Sequence, residues 1–245
     1  MRLLTATDAI RIWESSHKQP PGEKIISVLA AASPDESRDE LAQLTLGQAN
    51  RRLLDLRERI FGSHLNAAST CGNCGTRFEF DLSTDLFRQT NEERGVESEF
   101  DFTSDRYRVQ FRLLNLDDLN FANEVGSVDS ARQRLIKRCV LKAANAKEAV
   151  SADELPEQVI SALATRLTAC DPEAELLLDL ACPSCGFEFE LPFDISAFFG
   201  VEMDAEAQRL LREVHALALG YGWREADILE IAAPRRQFYL DMLDQ

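Results

Sequence analysis

Cys71-Gly72-Asn73-Cys74-Gly75, followed by Phe78-Glu79-Phe80-Asp81-Leu82, is nearly repeated far downstream. The second copy reads Cys182-Pro183-Ser184-Cys185-Gly186, followed by Phe187-Glu188-Phe189-Glu190-Leu191. Each copy is a C-x-x-C turn, a glycine and an alternating segment of the kind that forms a strand. Two such halves make a four-thiolate site of the zinc-ribbon type, with Cys71, Cys74, Cys182 and Cys185 as ligands. Zinc is tetrahedral and binds thiolate at about 2.3 Å, so two facing turns fill its coordination and leave no position for water. The expected cofactor is therefore a structural zinc ion. The glycine after each second cysteine suits the positive φ that such a turn often requires. Other readings of the four thiols are an iron–sulfur cluster, a metal shared between two chains, two disulfides, or a thioredoxin-like redox pair. The last normally sits at a helix start, whereas both turns here run into strands.

The rest of the chain surrounds this pair. Its 245 residues suffice for one large domain or two modest ones. No apolar run approaches the ~20 residues of a membrane helix. The start, Met1-Arg2-Leu3-Leu4-Thr5, lacks a signal-peptide pattern. A cytoplasmic protein with reduced thiols is expected, which favours metal over disulfide. The net charge of −15 opposes binding to nucleic acid or to an anionic membrane. It suits solubility or a basic partner.

Hydrophobic spacing and breakers predict two short helices over residues 5–31, with Thr7 or Asp8 as first cap and Pro21 opening the second. Residues 33–40 read as an exposed loop. Leu46, Ala49, Leu53, Leu56 and Ile60 predict a helix over Leu46–Phe61, closed by Gly62. Residues 77–82 alternate as a strand, and residues 97–113 read as a β-hairpin turning at Ser104-Asp105. The pattern from Asp117 to about Leu167 is helical, with Leu135, Ile136, Cys139 and Val140 on one stripe and Pro156 opening a further helix. Residues 175–181 predict a strand. Asp194 caps a long helix to about Leu219, with Phe198, Phe199, Val201, Leu210, Leu211, Val214 and Leu217 on its apolar side. Two last helices cover Arg224–Ala232 and Pro234–Leu243.

The predicted class is α+β, mainly helical, with a zinc-ribbon-like element and a β-hairpin. Three segments follow: an N-terminal helical segment 1–44, a helix–ribbon–hairpin region 45–194 with a helical insertion, and a C-terminal helical hairpin 195–245, together one compact unit.

No catalytic motif appears. His17, His64 and His215 fall in unrelated contexts, and Asp117-Asp118 reads as a helix start rather than an acid–base pair. Cys139 is expected to be a buried apolar residue, and Cys170 carries no signal. In the C-terminal hairpin, Tyr221, Trp223, Arg235, Arg236 and Tyr239 form either ordinary core packing or a partner-binding surface, because aromatic and arginine anchors suit interfaces.

The ending from Arg212-Glu213-Val214-His215 through Gly220-Tyr221-Gly222-Trp223 to Pro234-Arg235-Arg236-Gln237-Phe238-Tyr239 belongs to this pattern. So do the second cysteine turn and the run from Arg51 to Gly75. Together they resemble the baseplate hub assembly chaperone family of T-even-type phages and, more closely, its relatives in bacterial contractile injection systems. The resemblance covers about residues 45–243. It implies a small non-enzymatic protein that assembles, or stays within, a baseplate hub. The implied partners are hub, spike or tape-measure proteins. It supplies no catalytic residue.

Overall fold

A computed structural model describes residues 1–16, 19–88, 99–104, 106–122, 128–145 and 148–243. Its helices and strands run α1 (Ala6–Ser16), α2 (Pro21–Ala32), α3 (Arg38–Ala42), α4 (Leu46–Phe61), β1 (His64–Thr70), β2 (Arg77–Ser83), β3 (Phe100–Ser104), β4 (Tyr107–Phe111), α5 (Leu116–Ala122), α6 (Val128–Cys139), β5 (Val140–Ala144), β6 (Ala149–Val150), α7 (Glu157–Cys170), β7 (Leu176–Ala181), β8 (Glu188–Phe193), α8 (Ile195–Tyr221), α9 (Glu225–Glu230) and α10 (Ala233–Leu243). The class is α+β, mainly helical, with small antiparallel sheets.

Local chemistry sets the helix ends. The first helix begins earlier than the spacing predicts. Thr5 is its cap: the Thr5 hydroxyl accepts from Asp8 N at 3.1 Å and the Asp8 carboxylate accepts from Thr5 N at 2.8 Å. This reciprocal pair satisfies two otherwise unbonded donors. The same device, Ser37 with Glu40, starts α3 inside the stretch expected to be a loop. Helix α4 spans the predicted residues, with a Thr45–Gln48 capping box and Gly62 at φ 88° closing it. Asp194 caps α8 through Ala197 N at 3.0 Å. Val201, expected on the apolar side of α8, is instead 70% exposed. His17 and Asp105 lie outside the described residues.

Strands β1 and β2 form one hairpin, and β7 and β8 another. The third sheet has the order β3-β4-β5-β6. Its last two strands replace part of the helix expected through residue 140: Val140 leaves α6 and pairs with Phe111. Pairing along the edge of β4 that β3 leaves open overrides the helical preference of the Val140-Leu141-Lys142-Ala143-Ala144 stretch.

One core gathers Ile10, Ile26, Leu29, Leu53, Leu56, Leu65, Leu116, Leu178 and Phe199. A second joins the four-stranded sheet to α6 and α7 through Val109, Phe111, Ile136, Cys139, Val159 and Leu163. Cys139 is fully buried there, and burial pushes its thiol up to about 12.

The first turn of α4 is held by the segment after α7. Asp171 accepts from Gly47 N at 3.0 Å, Asn50 donates to Glu173 O at 2.8 Å, and the Arg51 guanidinium meets both Glu173 carboxylate oxygens at 2.8 Å. A Cβ on Gly47 would lie 1.9 Å from Asp171 Oδ1. Gly47→Ala would normally favour a helix by about 1 kcal/mol. Here the clash reverses the sign, because Asp171 cannot move without losing its bond to the same residue. A net loss of ~1–3 kcal/mol is expected, and a chemical denaturation midpoint at or above the wild-type value would refute it.

Candidate metal centre

Each cysteine turn closes the tip of a hairpin. In the first, Thr70 pairs with Arg77, Cys71 N donates to Thr76 O at 3.0 Å, and Gly75 N donates to Cys71 O at 2.9 Å. In the second, Ala181 pairs with Glu188, Cys182 N donates to Phe187 O at 2.9 Å, and Gly186 N donates to Cys182 O at 2.9 Å. Gly75 and Gly186 stand at φ 72° and 69°. Only glycine takes that conformation without a Cβ penalty, so the two turns are the same structure built twice.

The tips face each other. The four cysteine sulfurs lie within 4.8 Å of one another. Cys71 Sγ is 3.8 Å from Cys185 Sγ, and Cys74 Sγ is 3.7 Å from Cys182 Sγ. A tetrahedral ion with bonds of about 2.3 Å requires edges of about 3.8 Å. Two of the six edges match that value, and the donor set fits a thiophilic metal. Cys71 and Cys182 are buried while Cys74 and Cys185 reach solvent.

Hydrogen bonds from Thr76 hold the Cys74 thiol down to about 6, its hydroxyl oxygen lying 3.3 Å from the sulfur. Burial pushes the Cys182 thiol up to about 11. Asn73 Nδ2 lies 3.7 Å from Cys185 Sγ, a side-chain donor reaching across from the opposite turn. Both turns lead into strands and neither opens a helix, so the helix N-terminus of a thioredoxin-like pair is not present at either.

The hairpins are also braced at their other ends. Arg57, near the end of α4, is 3% exposed. Its guanidinium donates to the Glu202 carboxylate on α8 at 2.6 and 3.0 Å and to Gly62 O at 2.5 Å. It also lies 5.9 and 5.8 Å from the Phe61 and Phe198 ring centres. The helix that feeds β1 is thereby tied to the helix that leaves β8. Phe87 stacks on Phe193 at 4.9 Å toward the base, and Phe78 meets Phe189 edge-on at 6.4 Å beside the cysteine turns. Periodicity offered no signal for Arg57, because an arginine within an amphipathic helix reads as its exposed side.

His64 begins β1, at the end away from the cysteine turn, and His215 lies on α8. Neither belongs to the sulfur cluster. Asp118, read as a helix start, is that and more. Asp118 and Asn115 exchange backbone bonds at 3.0 and 3.1 Å, and the carboxylate is buried between Arg112 and Arg138.

In the C-terminal hairpin, Trp223 stacks on Tyr221 at 4.7 Å and meets Tyr239 edge-on at 5.0 Å. The three rings pack against a small core of Val214, Leu217 and Ile228. Arg235 is exposed, whereas Arg236, read as either core or docking surface, is buried. It is 4% exposed, with its guanidinium bonded to Glu213 at 2.9 Å and to Ile231 O at 2.5 Å. The buried Glu213 carboxylate draws it inward. Among the described residues no helix is long and apolar enough to cross a membrane.

Residues 2–200 match the family described as T4 bacteriophage base plate protein. The match takes in residues 2–44, for which the sequence reading found no resemblance, and stops before most of α8 and the C-terminal hairpin. No curated protein and no solved structure matches the chain significantly. The chain belongs to the T4 bacteriophage base plate protein family, a family of baseplate structural proteins.

Proposed function

We propose that the chain is a non-enzymatic assembly chaperone or minor component of the baseplate hub in a phage-tail-like contractile injection system. The observation that carries this reading is the family match, which spans both cysteine turns, all of α4 and the first residues of α8. In this reading Cys71, Cys74, Cys182 and Cys185 hold a structural zinc ion, which would supply a closed cross-link and no catalysis. The ion fixes two hairpins far apart in sequence as one platform. Segments 1–44, 45–194 and 195–245 work as one unit, supported by a core that draws on residues from all three.

The C-terminal hairpin is the docking element for a hub, spike or tape-measure protein. Support comes from Phe238 at 62% and Leu219 at 79% exposure, beside the Tyr221–Trp223–Tyr239 stack and the exposed Arg235. The chain works in the cytoplasm, where its acidity keeps it soluble until assembly. The rival role, a ribbon that binds nucleic acid, is opposed by the same net charge of −15.

Co-expression with the hub, spike and tape-measure proteins of the same particle is the test. One of them should co-purify with the chain, and deletion of the chain should yield particles with defective hubs. Normal particles after deletion, with no partner retained, would end this reading.

A further inference from the structure

A groove of about 880 Å³ lies where the two main cores meet. Leu46 of α4 and Leu113 contribute to it, with Leu135 of α6 and Ala164 and Thr168 of α7. The three leucines and Ala164 are half-buried and Thr168 is exposed, so the groove is open to solvent. Apolar surface of this extent, flanked by two helices, is suited to take the apolar side of a third.

Its polar end is negative. Asp171 lines the groove, and Glu175 is exposed on the same rim. Asp171 takes hydrogen bonds from Gly47 N and the Thr45 side chain but, among the described residues, no ion pair. The nearby cation, Arg51, is engaged by both carboxylate oxygens of Glu173. Burial, with Glu173 adding to it, raises the Asp171 carboxyl above the ordinary range. A positive charge brought to this end would relieve that cost. Arg132 on α6 is exposed and also lines the groove. Its presence disfavours a uniformly basic ligand and favours one with a single cation at the Asp171 end.

We infer that this groove binds an amphipathic helix of a partner protein, with leucine-like side chains at i, i+3 and i+7 and a lysine or arginine one turn beyond that reaches Asp171. The groove is separate from the cysteine site and from the C-terminal hairpin. It is defined by its own chemistry and does not depend on the hub reading.

The probe is a fluorescent synthetic helical peptide with that leucine spacing and a terminal lysine, beside a counterpart with glutamate in place of the lysine. Both are titrated against the full chain by anisotropy at physiological salt, which suppresses general attraction to the acidic surface. The lysine peptide should bind about tenfold tighter than the glutamate peptide. Thr168→Trp, an exposed substitution that fills the groove, should weaken the lysine peptide about tenfold, and Thr165→Trp on the same helix should do likewise. Asp171→Asn keeps the acceptor for Gly47 N and should remove most of the lysine preference. The inference is overturned if neither peptide binds, if both tryptophan variants bind the lysine peptide as wild type does, or if Asp171→Asn leaves the preference intact.

Discussion

Cys185→Ser is expected to weaken metal binding by about a hundredfold or more and lower the melting temperature by ~6–16 °C. Serine is close in size to cysteine, and Cys185 is exposed, so packing changes little. What is lost is one corner of the thiolate tetrahedron. Structural zinc sites bind with about 10–16 kcal/mol in apparent terms, and that energy is available only to the folded state. Losing about a quarter of it, ~3–4 kcal/mol, shifts the midpoint by ~2–4 °C per kcal/mol in a chain of this size. Cys74→Ser should act in the same direction. Cys170→Ser changes a cysteine outside the cluster and should leave metal content and melting unchanged. Wild-type protein should carry one ion per chain, and a strong chelator should lower its melting temperature at least as far as Cys185→Ser does. Metal content and melting in Cys185→Ser equal to wild type would remove the basis for a metal centre.

Such a large effect from one side chain follows from how the fold is closed. Residues 84–175 lie between the hairpins and build most of a separate core. A metal bound across the tips would join the two ends of this long stretch in the folded state alone, so its binding energy would add to folding stability. The Arg57–Glu202 pair spans the same stretch at the base, with buried charge in place of metal. With a metal bound the platform would be fastened at both ends, with the Phe78–Phe189 contact beside the tips and the Phe87–Phe193 stack toward the base.

The sequence was most readable where one local rule acts alone. The paired C-x-x-C-Gly turns, the spacing from Leu46 to Ile60 and the caps Gly62 and Asp194 each rest on contacts within a few residues. Strand β5 was unreadable because its partner β4 is distant and its own residues favour a helix, and β6, two residues long, pairs only with β5. Helix α3 was readable in principle, since Ser37 and Glu40 have capping-box spacing, but five residues carry no periodicity. Arg57, Asp118 and Arg236 were hidden for a different reason. Charged residues are normally solvated, and nothing local marks the few that are buried. Each is revealed only by the partner that tertiary structure brings: Glu202, the pair Arg112 and Arg138, and Glu213. The groove at Asp171 was hidden in the same way, since four separate segments line it.

Asp118→Asn is expected to destabilise the protein by ~3 kcal/mol at neutral pH, and to do so less as the pH falls. The Asp118 carboxylate is about 1% exposed. It accepts from Arg112 at 2.6 and 3.0 Å, from Arg138 at 2.9 Å and from Asn115 N at 3.1 Å. Those bonds join the helix that enters the first core, α5, to the strand and helix of the second. Breaking a buried pair costs about 3–5 kcal/mol when the remaining charge is stranded. The low end applies because Arg112 and Arg138 are 26% and 38% exposed and can turn to water. Burial alone would raise the carboxyl, but the two arginines and Asn115 outweigh it and hold it below the ordinary carboxylate range. A folded-state value below the unfolded one stabilises the protein fully above the unfolded value of about 3.9. That contribution fades as pH falls through the folded value, where native Asp118 takes up its proton. Wild type should therefore lose stability more steeply than Asp118→Asn below about pH 4. Asp8 is lowered in the same sense and remains in both proteins, so it cancels from the comparison. Urea unfolding of both proteins at neutral pH and below pH 4 should give a stability gap that narrows on acidification. A gap that stays constant or widens would mean that the carboxylate charge is not what joins the two cores.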